Sequence, residues 1–140
     1  MNRRLKIDKG FKPSEAMDGD EIYPNGIFVF NISRLIEFID SNPDLFIREK
    51  KQVKEIYKYS SNLNEPHLEK VDITKPVIFG EIAPGRYNLI DGHHRVEKAR
   101  RLGVKEISFY KVDIEYLRCF FTSDEAYKAH IDYWNDKLKK

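Results

Sequence analysis

The chain has 140 residues, with Lys+Arg 25 against Asp+Glu 23, a formal net charge of +2, and 41% hydrophobic and 13% aromatic residues. That is the length of one domain with enough apolar surface for a core, which excludes a disordered chain. The even charge balance argues against a dedicated nucleic-acid binder, whose footprint is strongly basic.

Residues 1–25 mix Gly, Pro, Asp and Lys and read as a loosely ordered N-terminal arm, leaving 26–140 as a single domain. The opening MNRRLKIDKGFKP has no apolar signal core, and nowhere does an apolar run approach the roughly 18 residues of a membrane span. A cytoplasmic protein with no membrane partner is therefore expected.

Gly26–Phe30 (GIFVF) is continuously apolar and suits a buried strand. Asn31 or Ser33 caps a helix after it, with Leu35, Ile36 and Ile39 on one face, and Ser41-Asn42-Pro43 ends it. A second helix is expected from Pro43 toward Tyr59, with Phe46, Val53, Ile56 and Tyr57 inward. Its basic run Arg48–Lys58 reads as a solvated face. Ser60–Glu69 reads as loop.

The stretch PVIFGEIAPGRYNLI, Pro76–Ile90, is two apolar runs around Pro84-Gly85-Arg86, a hairpin in which Gly85 takes positive φ. A helix follows with Val96, Ala99 and Leu102 at threefold spacing and Gly103 as its stop. Glu106–Val112 is a strand by its Ile, Phe, Tyr and Val content, and strand–helix–strand in this order implies a parallel crossover. Cys119, the only cysteine, sits in YLRCFF and reads as a small buried hydrophobe. Thr122 and Glu125 form a capping box for a last helix that puts Tyr127, Ile131, Trp134 and Leu138 on one face. The fold class expected is α/β (α+β), a small mixed sheet with covering helices.

The chemistry concentrates in Asp91-Gly92-His93-His94-Arg95, where a strand gives way to a helix. A helix leaves its first N–H groups without intrahelical partners at the positive end of its dipole. Gly92 lets an anion approach the backbone, and Arg95 offers a planar fork of donors beside two imidazoles. Together these make a phosphate or carboxylate site. Taken singly, Asp91 reads as a helix cap, Arg95 as a surface charge, and Asp91-x-His93 is too short to define a metal site.

Lys75–Val112, KPVIFGEIAPGRYNLIDGHHRVEKARRLGVKEISFYKV, resembles the ParB/sulfiredoxin superfamily, and the element order at Gly26–Asp40 is similar more loosely. ParB proteins carry a Gly-Glu-Arg-Arg-like box after the glycine, sulfiredoxins a Gly-Cys-His-Arg box, and related free-serine kinases an Asp-Gly-His box. His93 stands where the sulfiredoxin cysteine would be, so that chemistry is excluded here, and Cys119 lies too far along the chain to replace it. The resemblance implies that Gly92, His94 and Arg95 bind nucleotide phosphates. It makes Asp91 a candidate base or Mg²⁺ ligand, with His93 sharing either task and Glu81 in the partner strand a further candidate. A nucleoside triphosphate or diphosphate with Mg²⁺ would be the cofactors, and a small metabolite the acceptor.

Three functions follow. The leading one is a nucleotide-binding domain for phosphoryl transfer or nucleotide hydrolysis, a phosphotransferase or phosphohydrolase. The second is a ParB-like nuclease or DNA-associated domain, with Arg95, Lys98, Arg100 and Arg101 tracking a phosphate backbone. Against it, only 28 residues remain beyond Val112 (113–140), short of the helix-turn-helix module of partition proteins. The third is a non-catalytic interaction module presenting Tyr133 and Trp134, although packing of both into the core is the expectation.

Overall fold

In a computed structural model, residues 3–25, 28–56 and 65–139 are described. The elements are β1 (Ile22–Asn25), β2 (Phe28–Asn31), α1 (Ile32–Ser41), β3 (Glu49–Gln52), α2 (Glu65–Lys70), β4 (Val77–Ala83), β5 (Arg86–Asp91), α3 (His93–Arg101), β6 (Glu106–Val112), α4 (Ile114–Leu117) and α5 (Asp124–Leu138). Among these residues β1 and β2 form an antiparallel ribbon, and the other strands form a sheet in the order β3-β6-β4-β5. The mixed α+β architecture is the one expected from the sequence.

β4 is buried along its whole length because both faces of the sheet are covered. Side chains alternate across a strand, so Val77 and Phe79 point one way and Ile78 the other. Val77 and Phe79 pack with Val53, Ile56, Ile107, Phe109, and Val96 and Ala99 of α3. Ile78 joins Ile90, Val112, the inward residues of α1, Leu117 of α4, and Tyr127 and Ile131 of α5. Burial at this scale is the main stabilising term.

Asn31 caps α1, its side-chain oxygen accepting from the Arg34 N–H at 3.1 Å. Leu35 and Ile39 are buried, and Ile36 is half-buried. Ser123, not Thr122, caps α5 through the Ala126 N–H. Tyr127, Ile131 and Trp134 face inward from α5, while Tyr133 is half-buried and Leu138 and Leu102 are exposed.

Further expectations are corrected. No helix runs on from Pro43: Glu49–Gln52 is a strand paired antiparallel to β6, followed by a 3-10 turn at Val53–Glu55. The expected inward residues Phe46, Val53 and Ile56 are buried nonetheless, because strand pairing to Ile107–Phe109 replaces the helical face. Tyr57 and Tyr59, Gly26 and Ile27 of the first strand, and residues 60–64 of the expected loop lie outside the described residues. Glu65–Glu69 of that loop is helical instead, within α2.

Second, β5 and β6 are not a parallel pair. β6 runs parallel to β4, and β5 antiparallel to β4, so α3 carries the chain from the edge strand past β4 to its other side. Third, Cys119 is exposed, because Arg118–Phe120 is a 3-10 turn that sends Phe120 inward in its place. Fourth, residues 3–25 are tied down. The Leu5 backbone exchanges two 2.8 Å hydrogen bonds with the Asn135 side chain, Trp134 Nε1 donates to the Arg3 carbonyl, and β1 pairs with β2.

No helix among the described residues is long and apolar enough to cross a membrane.

Candidate functional site

β5 ends on Asp91, whose residue is only 6% exposed, and α3 begins at His93. Between them Gly92 has φ +103, and a Cβ built there would lie 2.4 Å from Cγ1 of Val77. The glycine is therefore required by the tight turn and by the packing of β4, since a side chain would strain the backbone and collide with the sheet. The expected opening for an anion lies beside this turn.

That opening is a cleft of about 320 Å³ lined by the first turn of α3 together with Asp91, Glu21, Tyr23 and His67. The structure thus brings Asp91, Gly92, His93, His94 and Arg95 to one place. Arg95, with its side chain 17% exposed, donates to the Asp91 carboxylate at 3.1 Å and to the Pro76 carbonyl. Its fork is therefore anchored at the strand–helix junction and is not a loose surface charge.

Glu81 is elsewhere. It lies near the hairpin turn, opposite Tyr87, whereas Asp91 lies opposite Ile78 at the other end of β4. Its oxygens accept from the Gly85 and Ile114 N–H groups and from Arg3. Burial works to raise its carboxyl, but these donors outweigh it and hold the group below its usual range.

Three cleft residues are not evident from the motif. Glu21 is held by α1: its N–H donates to Ser33 Oγ at 2.8 Å, and its carbonyl accepts from the Ile32 N–H at 2.8 Å. Its carboxyl stands near Asp91 and is raised, first by partial burial and then by the Asp91 charge. His67 of α2 meets His94 edge-on, with ring centroids 4.5 Å apart. Tyr23 comes from β1. The one signal in the sequence was the cap at Asn31, which fixes where the preceding residues must lie.

Both motif histidines are held below their usual range. Burial is the first cause for each, with Asp91 opposing it at His93 and His67 adding to it at His94. At neutral pH they act as hydrogen-bonding imidazoles rather than cations, leaving Arg95 as the fixed positive charge of the cleft. A phosphate group brought here would meet two carboxyl groups and one guanidinium, so a divalent cation arriving with it fits the charge balance. Among the described residues no three His, Cys, Asp or Glu side chains converge as a preformed metal site. Mg²⁺ needs only one or two carboxylates once phosphates and water complete its shell, and Asp91 and Glu21 fit that demand.

Comparison of the chain with protein-family models, with curated proteins and with solved structures gave no match.

Proposed function

We propose that this is a cytoplasmic, ParB/sulfiredoxin-like domain that binds a nucleoside triphosphate or diphosphate with Mg²⁺ and transfers or hydrolyses its terminal phosphoryl group. The observation that carries the reading is a single cleft that joins the first turn of α3 to Arg95 and to the Glu21–Asp91 carboxyl pair. The α3 N-terminus and Arg95 would hold phosphate oxygens, with His94 at the rim, and Mg²⁺ would neutralise the charge developing on them. Asp91 would orient and deprotonate an acceptor hydroxyl or water, Glu21 would stand beside it as a candidate Mg²⁺ ligand, and His93 would hydrogen-bond the reacting groups.

The DNA-associated reading loses its support on α3. Arg100 and Arg101 are paired with Glu97, and Arg101 also with Glu65, so this face is internally balanced. Lys98 donates to the Glu69 and Val71 carbonyls.

The test is calorimetry and thermal shift with ATP, ADP, CTP and GTP in the presence of Mg²⁺. A nucleotide at about 100 times its Kd should add roughly 2.7 kcal/mol of stability. His94→Ala and Arg95→Ala should each remove most of that gain. A panel with no response, or full binding by both variants, overturns the reading.

A further inference from the structure

The Asp91–Arg95 pair has a second side. Another cleft of about 320 Å³ shares only these two residues with the first, so the two clefts adjoin at the ion pair. Ile36 and Ile39 of α1, Ile78 of β4 and Tyr110 of β6 give this cleft apolar walls. Asp40 and Lys75, both exposed, stand at its rim with opposite charges. Ile39 and Ile78 are firmly buried, so the floor belongs to the core and holds its shape.

An apolar cleft that includes a carboxylate and a guanidinium in its lining suits a molecule with a hydrocarbon body and one reactive polar head. Phosphates are unsuited to it, since a highly charged group gains nothing from isoleucine walls. The first cleft is more polar, with the groups of the α3 N-terminus, Glu21 and His67 along it beside Ile22, Ile32 and Ile90.

We propose that the second cleft is the acceptor site, taking a small primary alcohol with a compact apolar body. This rests on the phosphate reading of the first cleft. The alcohol oxygen forms a bond to the terminal phosphorus of the nucleotide, and the bond from that phosphorus to its bridging oxygen breaks. The shortened nucleotide leaves with the electron pair, and the hydroxyl proton passes to the Asp91 carboxylate. Arg95, which lines both clefts, holds the carboxylate at the edge where the two clefts adjoin.

Isoleucine δ-methyl NMR reads both clefts in one spectrum. Ile36, Ile39 and Ile78 report the second, and Ile22, Ile32 and Ile90 the first. Titration with 1-pentanol should shift the second set saturably and show intermolecular NOEs to it, while Mg-ATP should shift the first. Ile36→Trp, at a half-buried position, should fill the cleft and weaken pentanol binding about tenfold or more without moving the Mg-ATP response. With both ligands present, ADP release should rise with pentanol concentration.

Absence of saturable shifts and NOEs at Ile36, Ile39 and Ile78 in the unsubstituted protein overturns the proposal, whatever the variant does. Pentanol binding together with silence toward Mg-ATP removes the phosphate reading and the acceptor role with it. Binding of both with no pentanol-dependent ADP release overturns the acceptor role alone and leaves the phosphate reading standing.

Discussion

The two ends of the β4–β5 hairpin carry the same parts with opposite outcomes. Each has a buried carboxylate and a glycine at positive φ: Glu81 with Gly85 (φ +72) at the turn, Asp91 with Gly92 (φ +103) at the open end. At the turn the carboxylate is supplied with donors from Gly85, Ile114 and Arg3, and a Cβ on Gly85 would meet nothing. At the open end the carboxylate meets one guanidinium and a second carboxyl, and the glycine is pressed against Val77. Burial alone therefore does not mark a functional acid. A carboxylate whose donors are complete is structural, whereas one facing an acid across a cleft keeps chemistry in reserve.

The sharpest way to break this contrast is at the glycines. Gly92→Ala should cost about 4 kcal/mol, combining left-handed strain with a collision against Val77, while Gly85→Ala should cost only about 1 kcal/mol. Urea unfolding of the two variants gives the comparison directly, and equal losses would mean that the open-end turn can relax away from β4.

The acids come next. Glu81→Ala should cost about 3 kcal/mol, because two backbone N–H groups and Arg3 lose their acceptor together. Asp91→Asn keeps an acceptor for Arg95 and should cost under about 1 kcal/mol, yet should abolish the proposed phosphoryl transfer. A larger loss at Asp91 than at Glu81 would invert the assignment of structural and functional ends.

The smallest effect sharpens the turn end through pH. His130 is fully buried among Phe28, Phe121 and Trp134, its Nε2 bonded to the Ile82 carbonyl and its Nδ1 without a partner among the described residues. Burial lowers its pKa, opposed by the Ile82 carbonyl and by Glu81. The unfolded chain then takes up the proton first, so this contribution to stability is full above pH of about 6.5 and is lost as pH falls below it. Thermal melts from pH 7.5 to 5 should show a decline that His130→Phe flattens. An unchanged slope in that variant would place the acid sensitivity elsewhere.

What the sequence disclosed follows from what is local. The cap at Asn31, the Gly85 turn and the start of α3 at His93 depend on neighbours a few residues away, and all are legible. Glu49–Gln52 was not, because a charged four-residue strand has no period of its own and exists by pairing with β6. The cleft was half legible for the same reason. Asp91 to Arg95 form one motif, but Glu21 and His67 reach it from segments 70 and 24 residues before Asp91 (91 − 21 and 91 − 67), joined only by folding. The parallel pairing of β4 with β6 was likewise beyond local reading, since both orders of strands satisfy the same hydrophobic pattern.

The clasp between the first residues and α5 has a consequence for how the protein is made. Leu5 and Asn135, 130 positions apart, bond each other, and Trp134 holds the Arg3 carbonyl while the Arg3 guanidinium reaches Glu81. On the ribosome the segment that carries Arg3 and Leu5 emerges well before α5, its dock. The core carboxylate of β4 thus waits, short of its cation, until α5 delivers the surface on which Arg3 settles. Closure of this clasp follows the emergence of α5 rather than that of the segment it holds.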